Sequence, residues 1–233
     1  MKTLGDRYAA IVLGAGGGIG SAIAAALEGD PACAKVLRYA RSGSETFDVT
    51  REDSIAAAAA HARAEIGEAA LIVNAVGVLD RHGHRPEKSL ADIDPAAMAQ
   101  AFAINTIGAA LVFKHFHALL PRNERSVLAT LSARVGSIGD NRLGGWFSYR
   151  ASKAALNQIV RTSAIEIARK RKDAICVALH PGTVATPLSA PYAGERAMLT
   201  ASQSAQKMLA VLDELDKFQT GGFFAWDGSI IEW

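Results

Sequence analysis

Short, nearly unbroken apolar runs alternate along the chain with longer stretches in which apolar positions recur every three or four residues. The runs at 8–13, 35–40, 69–73, 126–131 and 174–180 have the make-up of strands buried on both faces of a parallel sheet. Residues 47–50 and 222–225 read as two shorter ones. The stretches between them predict helices over 21–27, 51–66, 94–120, the region of Tyr149, and 201–212. Asp94 suits a helix cap with Pro95 in the first turn, and the alanine run 56–60 is good helix former. No repeat, linker or composition shift interrupts this alternation. The expectation is one α/β domain over 1–233, a single-domain Rossmann fold whose doubly wound parallel sheet has about seven strands.

Composition narrows the class. Half of the residues are hydrophobic, 21% are charged, and the formal net charge is +2. No basic run is dense enough for nucleic acid or a membrane surface, so neither is expected as a partner. The start Met1-Lys2-Thr3-Leu4-Gly5-Asp6 lacks the apolar run of a signal peptide, and no segment is expected to reach membrane-spanning length. Cys33 and Cys176 are too few for a disulfide framework, which favours reduced thiols and a cytoplasmic location.

The first strand runs directly into Gly14-Ala15-Gly16-Gly17-Gly18-Ile19-Gly20. A glycine turn between strand and helix lets backbone approach a pyrophosphate, and the helix start offers unpaired N–H groups. About 20 residues further on, where an NAD binder carries a ribose-reading acid, the chain has Arg41 and Ser42. A guanidinium beside a hydroxyl suits a 2′-phosphate, so NADP(H) is favoured over NAD(H). Asp48 could accept from an adenine amino group or cap the helix that follows. Asn74-Ala75-Val76-Gly77 ends another strand with residues small enough to admit a flat ligand.

Asn105 is a polar residue inside a long apolar helix and needs a partner. His82 and His84 belong to a polar loop without a carboxylate or thiol at ligand spacing, and His115 and His117 face different sides of a helix. No metal is expected. Ser132 ends a strand, where ligands bind in open α/β sheets. Tyr149 and Lys153 share one helix face a turn apart, and a cation beside a phenol would lower its pKa toward a range useful for proton transfer. Leu143, Trp146, Leu188 and Tyr192 would line an apolar or aromatic substrate pocket, or serve as ordinary packing.

Taken together and in this order, Gly14-x-x-x-Gly18-Ile19-Gly20, Asp48-Val49-Thr50, Asn74-Ala75-Val76-Gly77, Asn105, Ser132, Tyr149-x-x-x-Lys153 and Pro181-Gly182 with Thr183 and Thr186 resemble the short-chain dehydrogenases/reductases. The match covers nearly the whole chain in the compact single-domain form. The segments 132–137 and 222–228 with Trp233 resemble its C-factor-like and carbonyl-reductase-like branch.

The resemblance implies an NADP(H)-dependent oxidoreductase acting on a small carbonyl or alcohol substrate, with Tyr149 as general acid/base. Ser132 would hold the substrate oxygen, with Ser137 as the substitute. Lys153 would tune Tyr149 and hold ribose hydroxyls, and Asn105 would place a water behind Lys153. Gly14, Gly18, Ile19, Gly20, Arg41, Ser42, Asp48, Val49, Asn74, Ala75, Val76, Pro181, Gly182, Thr183 and Thr186 would form the rest of the cofactor site. A homodimer or homotetramer is the family expectation.

The chain departs from the family pattern at Leu13, Ala75, Val76 and above all Ala133, which stands where the second member of a serine pair is usual. That departure keeps a signalling or sensor protein, binding NADP(H) with little turnover, as the rival reading. A sugar-nucleotide epimerase would need a longer chain.

Overall fold

The computed structural model describes residues 1–42, 46–80, 85–187, 189, 192 and 197–233. Strands β1 (Tyr8–Leu13), β2 (Cys33–Tyr39), β3 (Leu71–Asn74), β4 (Ser126–Leu131), β5 (Ala174–His180) and β6 (Phe223–Ala225) form one sheet in the order β2-β1-β3-β4-β5-β6. Every pairing is parallel. Helices α1 (Gly18–Glu28) and α6 (Ala201–Glu214) contribute to the core on one face of the sheet. Helices α2 (Glu52–Ile66), α4 (Ala109–Phe116) and α5 (Phe147–Ala168) do so on the other. The apolar runs are continuous because β3, β4 and nearly all of β5 are buried, leaving no polar face to alternate with.

The sheet has six strands among the described residues, not the expected seven. Residues 47–50 do not form a strand; an isolated parallel bridge joins Ala40 to Thr46 just before them. Five residues separate those two positions, far fewer than a parallel crossover requires. The segment instead turns on Asp48, whose carboxylate accepts from the Thr50 amide at 2.9 Å and the Thr50 hydroxyl at 2.7 Å. The N-cap of α2 is Arg51, so Asp48 is not that helix's cap.

The long apolar helix is also not uniform. Helix α3 (Pro95–Phe102), capped by Asp94 through the Ala97 amide, passes into a π-helical turn over Ala103–Gly108 and then into α4. Contrary to the sequence expectation, the segment Pro95–Leu119 is long and apolar enough to cross a membrane by length and composition. One side of it packs as core, with Val112, Phe113, Phe116 and Leu119 buried against the sheet and its neighbours, while 33% of the apolar window is buried.

Beneath α2 and α4, the rings of Tyr39, Phe47 and Phe116 meet with centroids 6.1–6.5 Å apart in tilted or edge-on geometry, a favourable arrangement for aromatic quadrupoles. Phe116 is fully buried in that cluster. Its truncation leaves a cavity, and Phe116→Ala is expected to cost about 3–5 kcal/mol. Thermal unfolding should show a melting temperature lower by about 10 °C; an unchanged value would mean that the site collapses without loss.

Candidate active site

The neighbours of β1 in the sheet are β2 on one side and β3 on the other, so the chain reverses its winding there and leaves a crevice at the strands' carboxyl ends. A cleft of about 530 Å³ occupies it, lined by the turn after β1, by Ala40-Arg41-Ser42 after β2, by Asp48 to Thr50, and by Ala75 to Val78 after β3. Arg41, Ser42, Asp48, Val49, Ala75 and Val76 thus share one wall system with Gly14.

The glycines are there because side chains would not fit. A Cβ on Gly14, whose φ is +84°, would lie 3.0 Å from backbone atoms of Ala75 and Val76. On Gly20 it would lie 2.2 Å from the Gly14 carbonyl oxygen, and on Gly18 2.9 Å from Thr186 Cγ2. Helix α1 begins at Gly18 with Gly17 as its N-cap and no capping side chain. The amides of Gly18, Ile19 and Gly20 therefore open the helix, where N–H groups have no intrahelical acceptor. This bare helix start beside a cradle that a Cβ would fill fits a dinucleotide pyrophosphate. Thr186 stands over the turn, and its hydroxyl is 2.8 Å from that of Ser189.

Asn74 closes β3. It is buried and accepts from the Val76 amide at 3.2 Å, which bends the chain after the strand. Pro181 and Gly182 (φ +82°) close β5; the Pro181 carbonyl accepts from Ser204 Oγ at 2.7 Å, and that of Thr183 from the Leu199 amide at 2.8 Å. A Cβ on Gly182 would strike the Trp226 ring at 2.7 Å.

Helix α5 carries the candidate acid. Gly144 and Gly145 at φ +63° and Trp146 at φ +54° form three successive left-handed residues just before it. Such a conformation costs a non-glycine residue roughly 1–2 kcal/mol. It sets the Trp146 ring edge-on to Tyr149 (6.2 Å) and Tyr192 (5.6 Å). Of the expected pocket residues, Leu143 is exposed, and Leu188 lies outside the described residues.

The first turn of α5 is anchored by the buried carboxylate of Glu87, which accepts from both the amide and the hydroxyl of Ser148. One turn further on, Lys153 is buried, donates to the Leu131 carbonyl at 2.9 Å, and sits 5.9 Å from the Tyr149 ring centre.

Asn105 occupies the π turn and is fully engaged as a donor. Its Nδ2 donates to the Val78 carbonyl at 2.9 Å and to Ser152 Oγ at 3.0 Å, while Oδ1 accepts from the Val78 amide at 2.9 Å. Ser152 Oγ in turn donates to the Tyr149 carbonyl at 2.9 Å. A Cβ on Gly77 would come within 3.3 Å of Lys153 Nζ and 3.5 Å of Asn105 Oδ1. Gly77 thus keeps open the space that both groups face, and Oδ1 retains one lone pair toward it.

The electrostatics differ from the sequence expectation. Burial raises the Tyr149 pKa well above that of an ordinary phenol, and burial lowers that of Lys153 to about 8. Desolvation disfavours the charged form of each, and in the free protein it outweighs the attraction between them. The phenol is therefore protonated at neutral pH.

Ser132 is buried, and its hydroxyl donates to Asn157 Oδ1 at 2.6 Å. Asn157 lies eight residues beyond Tyr149 on α5, roughly 12 Å along the helix. Ser137 is buried too, and its hydroxyl accepts from the Asp140 amide at 3.0 Å. His115 pairs with Glu52, and His117 bonds the Phe113 carbonyl, so the two are used separately; His82 and His84 fall outside the described residues.

Ser152, Thr106, Glu87 and Asn157 were not singled out from the sequence, and Gly77 reads there only as a small residue beside a flat ligand. Only Ser152 had a signal there, lying inside the Tyr-x-x-x-Lys turn.

A family model described as enoyl-(acyl carrier protein) reductase matches residues 14–226. The chain belongs to the short-chain dehydrogenase/reductase family. Among relatives of this dehydrogenase/reductase, the 1-hydroxy-2-glutathionyl-2-methyl-3-butene dehydrogenase of Rhodococcus sp. (strain AD45) is 32% identical over 80% of this chain and 78% of its own length. The C-signal protein of Myxococcus xanthus is 36% identical over 62% of this chain and 84% of its own. The NADPH-bound carbonyl reductase from chicken fatty liver superposes with a TM-score of 0.86 at 25% identity, covering 98% of this chain and 95% of that one. The compact form and the C-factor-like and carbonyl-reductase-like branch are those the motifs indicated.

The Lys153 shift has a sign that stability can test. Between pH 8 and the ordinary lysine value near 10.4 the unfolded chain binds more protons at this site than the native protein, so stability rises with pH across that window. The gain at this one group is about 3 kcal/mol. Lys153→Met should therefore melt higher than wild type at pH 7, with the difference shrinking as pH passes from 8 to 10. A constant difference across that range would show that Lys153 is not desolvated.

Proposed function

We propose that this protein is an NADP(H)-dependent oxidoreductase that moves a hydride between nicotinamide and the carbon of a carbonyl or alcohol substrate, with Tyr149 as general acid/base. The observation that carries the reading is the meeting of the glycine-turn cleft with the Tyr149–Lys153 turn of α5 across Gly77. NADPH supplies the hydride when bound. The first-turn amides of α1 hold its pyrophosphate, Arg41 and Ser42 its 2′-phosphate, and Asp48 with Val49 its adenine. Ala75 and Val76 border the same cleft, and Asn74 turns the chain into it through the Val76 amide. Pro181, Gly182, Thr183 and Thr186 shape the nicotinamide end, and Lys153 holds the ribose hydroxyls.

A protonated Tyr149 is set up to donate to a carbonyl oxygen, which favours the reductive direction. Lys153, the space at Gly77 and Asn105 form the route by which water returns the proton. Ser132 steadies the substrate oxygen by turning its hydroxyl from Asn157. The proposal extends to a cytoplasmic homodimer or homotetramer.

One observation favours a second reading, a signalling or sensor protein that binds NADP(H) with little turnover: the Ser132 proton is committed to Asn157, and Ala133 offers none. Stopped turnover assays with aldehydes, ketones and quinones beside cofactor titration separate the two, because a sensor binds NADPH without oxidising it.

Tyr149→Phe should lower kcat at least 100-fold, since a positioned acid contributes about 10²–10⁴, while NADPH affinity measured by fluorescence stays within a few-fold. A variant that keeps its full rate would exclude Tyr149 as the acid. Arg41→Ala should weaken NADPH binding about tenfold or more, the worth of a lost charge-assisted contact, and leave NADH binding nearly unchanged. Equal losses for both cofactors would mean that Arg41 does not read the 2′-phosphate.

A further inference from the structure

Helix α5 starts without a cap of its own. Its N-cap residue is Trp146, whose side chain makes no capping hydrogen bond, and its first turn holds no acidic residue. An indole has a donor and no acceptor, so it cannot take the amides of a helix start. Those amides have no intrahelical partner and carry the positive end of the helix dipole. They lie in the turn that bears Tyr149.

The missing acceptor comes from the loop after β3, 61 residues before Ser148. Glu87 meets the helix start twice. Its backbone carbonyl accepts from the Trp146 amide at 2.5 Å, and its carboxylate accepts from the Ser148 amide at 3.3 Å and from the Ser148 hydroxyl. Glu87 and Ser148 are both buried. No cation pairs with Glu87 among the described residues, so the carboxylate is satisfied by these donors and by the dipole behind them.

Arg150 holds the same turn from the other side. Its guanidinium donates to the carbonyls of Gly144 and Gly145 at 2.9–3.2 Å. Glu87 thus takes the donors and Arg150 the acceptors, and between them Gly144, Gly145 and Trp146 keep their left-handed conformation. For a residue with a side chain that conformation persists only where the surroundings impose it. The fit is close, since a Cβ on Gly145 would lie 3.3 Å from the Glu87 carbonyl oxygen.

We propose, resting on the oxidoreductase reading, that Glu87 is a positioning residue for proton transfer. Through Ser148 and Trp146 it fixes the first turn of α5, and with it the Tyr149 phenol. Ser148 directly precedes Tyr149, and the Trp146 ring stands edge-on to the Tyr149 ring at 6.2 Å, so both sides of the acid are set by one distant residue. Misplacing a reacting group by about 1 Å can cost on the order of 100-fold in rate.

The test measures kcat, KM and NADPH affinity for Glu87→Gln and Ser148→Ala, each made in wild type and in Tyr149→Phe protein, together with amide hydrogen exchange at Ser148. Glu87→Gln keeps the side chain's shape and removes its charge, and Ser148→Ala removes the hydroxyl donor alone. Each should lower kcat about tenfold or more, with NADPH affinity within about threefold of wild type. In Tyr149→Phe protein neither should lower kcat further, because the residues act as one unit. An unchanged kcat, or equal losses in both backgrounds, overturns the assignment and leaves Glu87 a structural anchor. If wild type oxidises NADPH with no carbonyl, or Tyr149→Phe keeps the full rate, the oxidoreductase reading fails. Faster exchange of the Ser148 amide in Glu87→Gln then still upholds Glu87 as the residue that sets this helix start, and unchanged exchange overturns that as well.

Discussion

The buried ammonium of Lys153 is the constraint around which the site is built. A charged group taken out of water must be satisfied locally, and Lys153 has the Leu131 carbonyl at 2.9 Å as its acceptor. That bond ties the second turn of α5 to the end of β4. It also explains two glycines that no turn requires. Gly136 lies where a Cβ would meet Lys153 Cβ at 2.8 Å, and Gly77 where a Cβ would crowd Nζ at 3.3 Å. Burial of the lysine, packed at its Cβ by the Gly136 turn, disfavours its charge and brings its pKa to about 8.

A second consequence runs through the π turn. An uninterrupted α-helix across an apolar surface has no use for Asn105, and a buried amide with unmet hydrogen bonds would be costly. The wider turn over Ala103–Gly108 carries that amide into a place where Val78 and Ser152 satisfy it. Thr106, one residue on, donates to the Ser152 carbonyl at 2.8 Å. The loop after β3, the long helix and the Tyr149 helix are thus locked together by polar bonds inside an otherwise apolar contact. π turns concentrate at functional sites for such reasons.

Much of this was legible in the chain. The glycine turn, the arginine after β2 and the Tyr149–Lys153 spacing are local patterns, and each reads the same in sequence and in three dimensions. Other features depend on what tertiary packing does to a local pattern. Residues 47–50 look like a strand, yet too few positions separate them from β2 for a parallel crossover, and the sheet has six strands among the described residues. The membrane-length segment is apolar in sequence because one side of it is core. Partners distant in sequence, such as Ser132 with Asn157 and Glu87 with Ser148, leave no local trace, so the serine nearest in sequence to the family motif says nothing about where its proton points.

The ionisation of Tyr149 shows the same limit and has a chemical consequence. Spacing alone suggests that a cation one turn away lowers the phenol, because opposite charges attract. Enclosure acts on both groups first, however, raising one and lowering the other, so the pair rests with its proton on oxygen. A tyrosine in that state can give a proton at neutral pH and cannot accept one until something further stabilises the phenolate. In the role proposed for Tyr149, the resting site would hold the proton that carbonyl reduction consumes, the hydride coming from NADPH, whereas alcohol oxidation would first need the phenolate to be stabilised. Lys153 Nζ and Asn105 Oδ1 both face the space that Gly77 leaves open, and under the proposed function that gap is where water would restore the proton after each reduction.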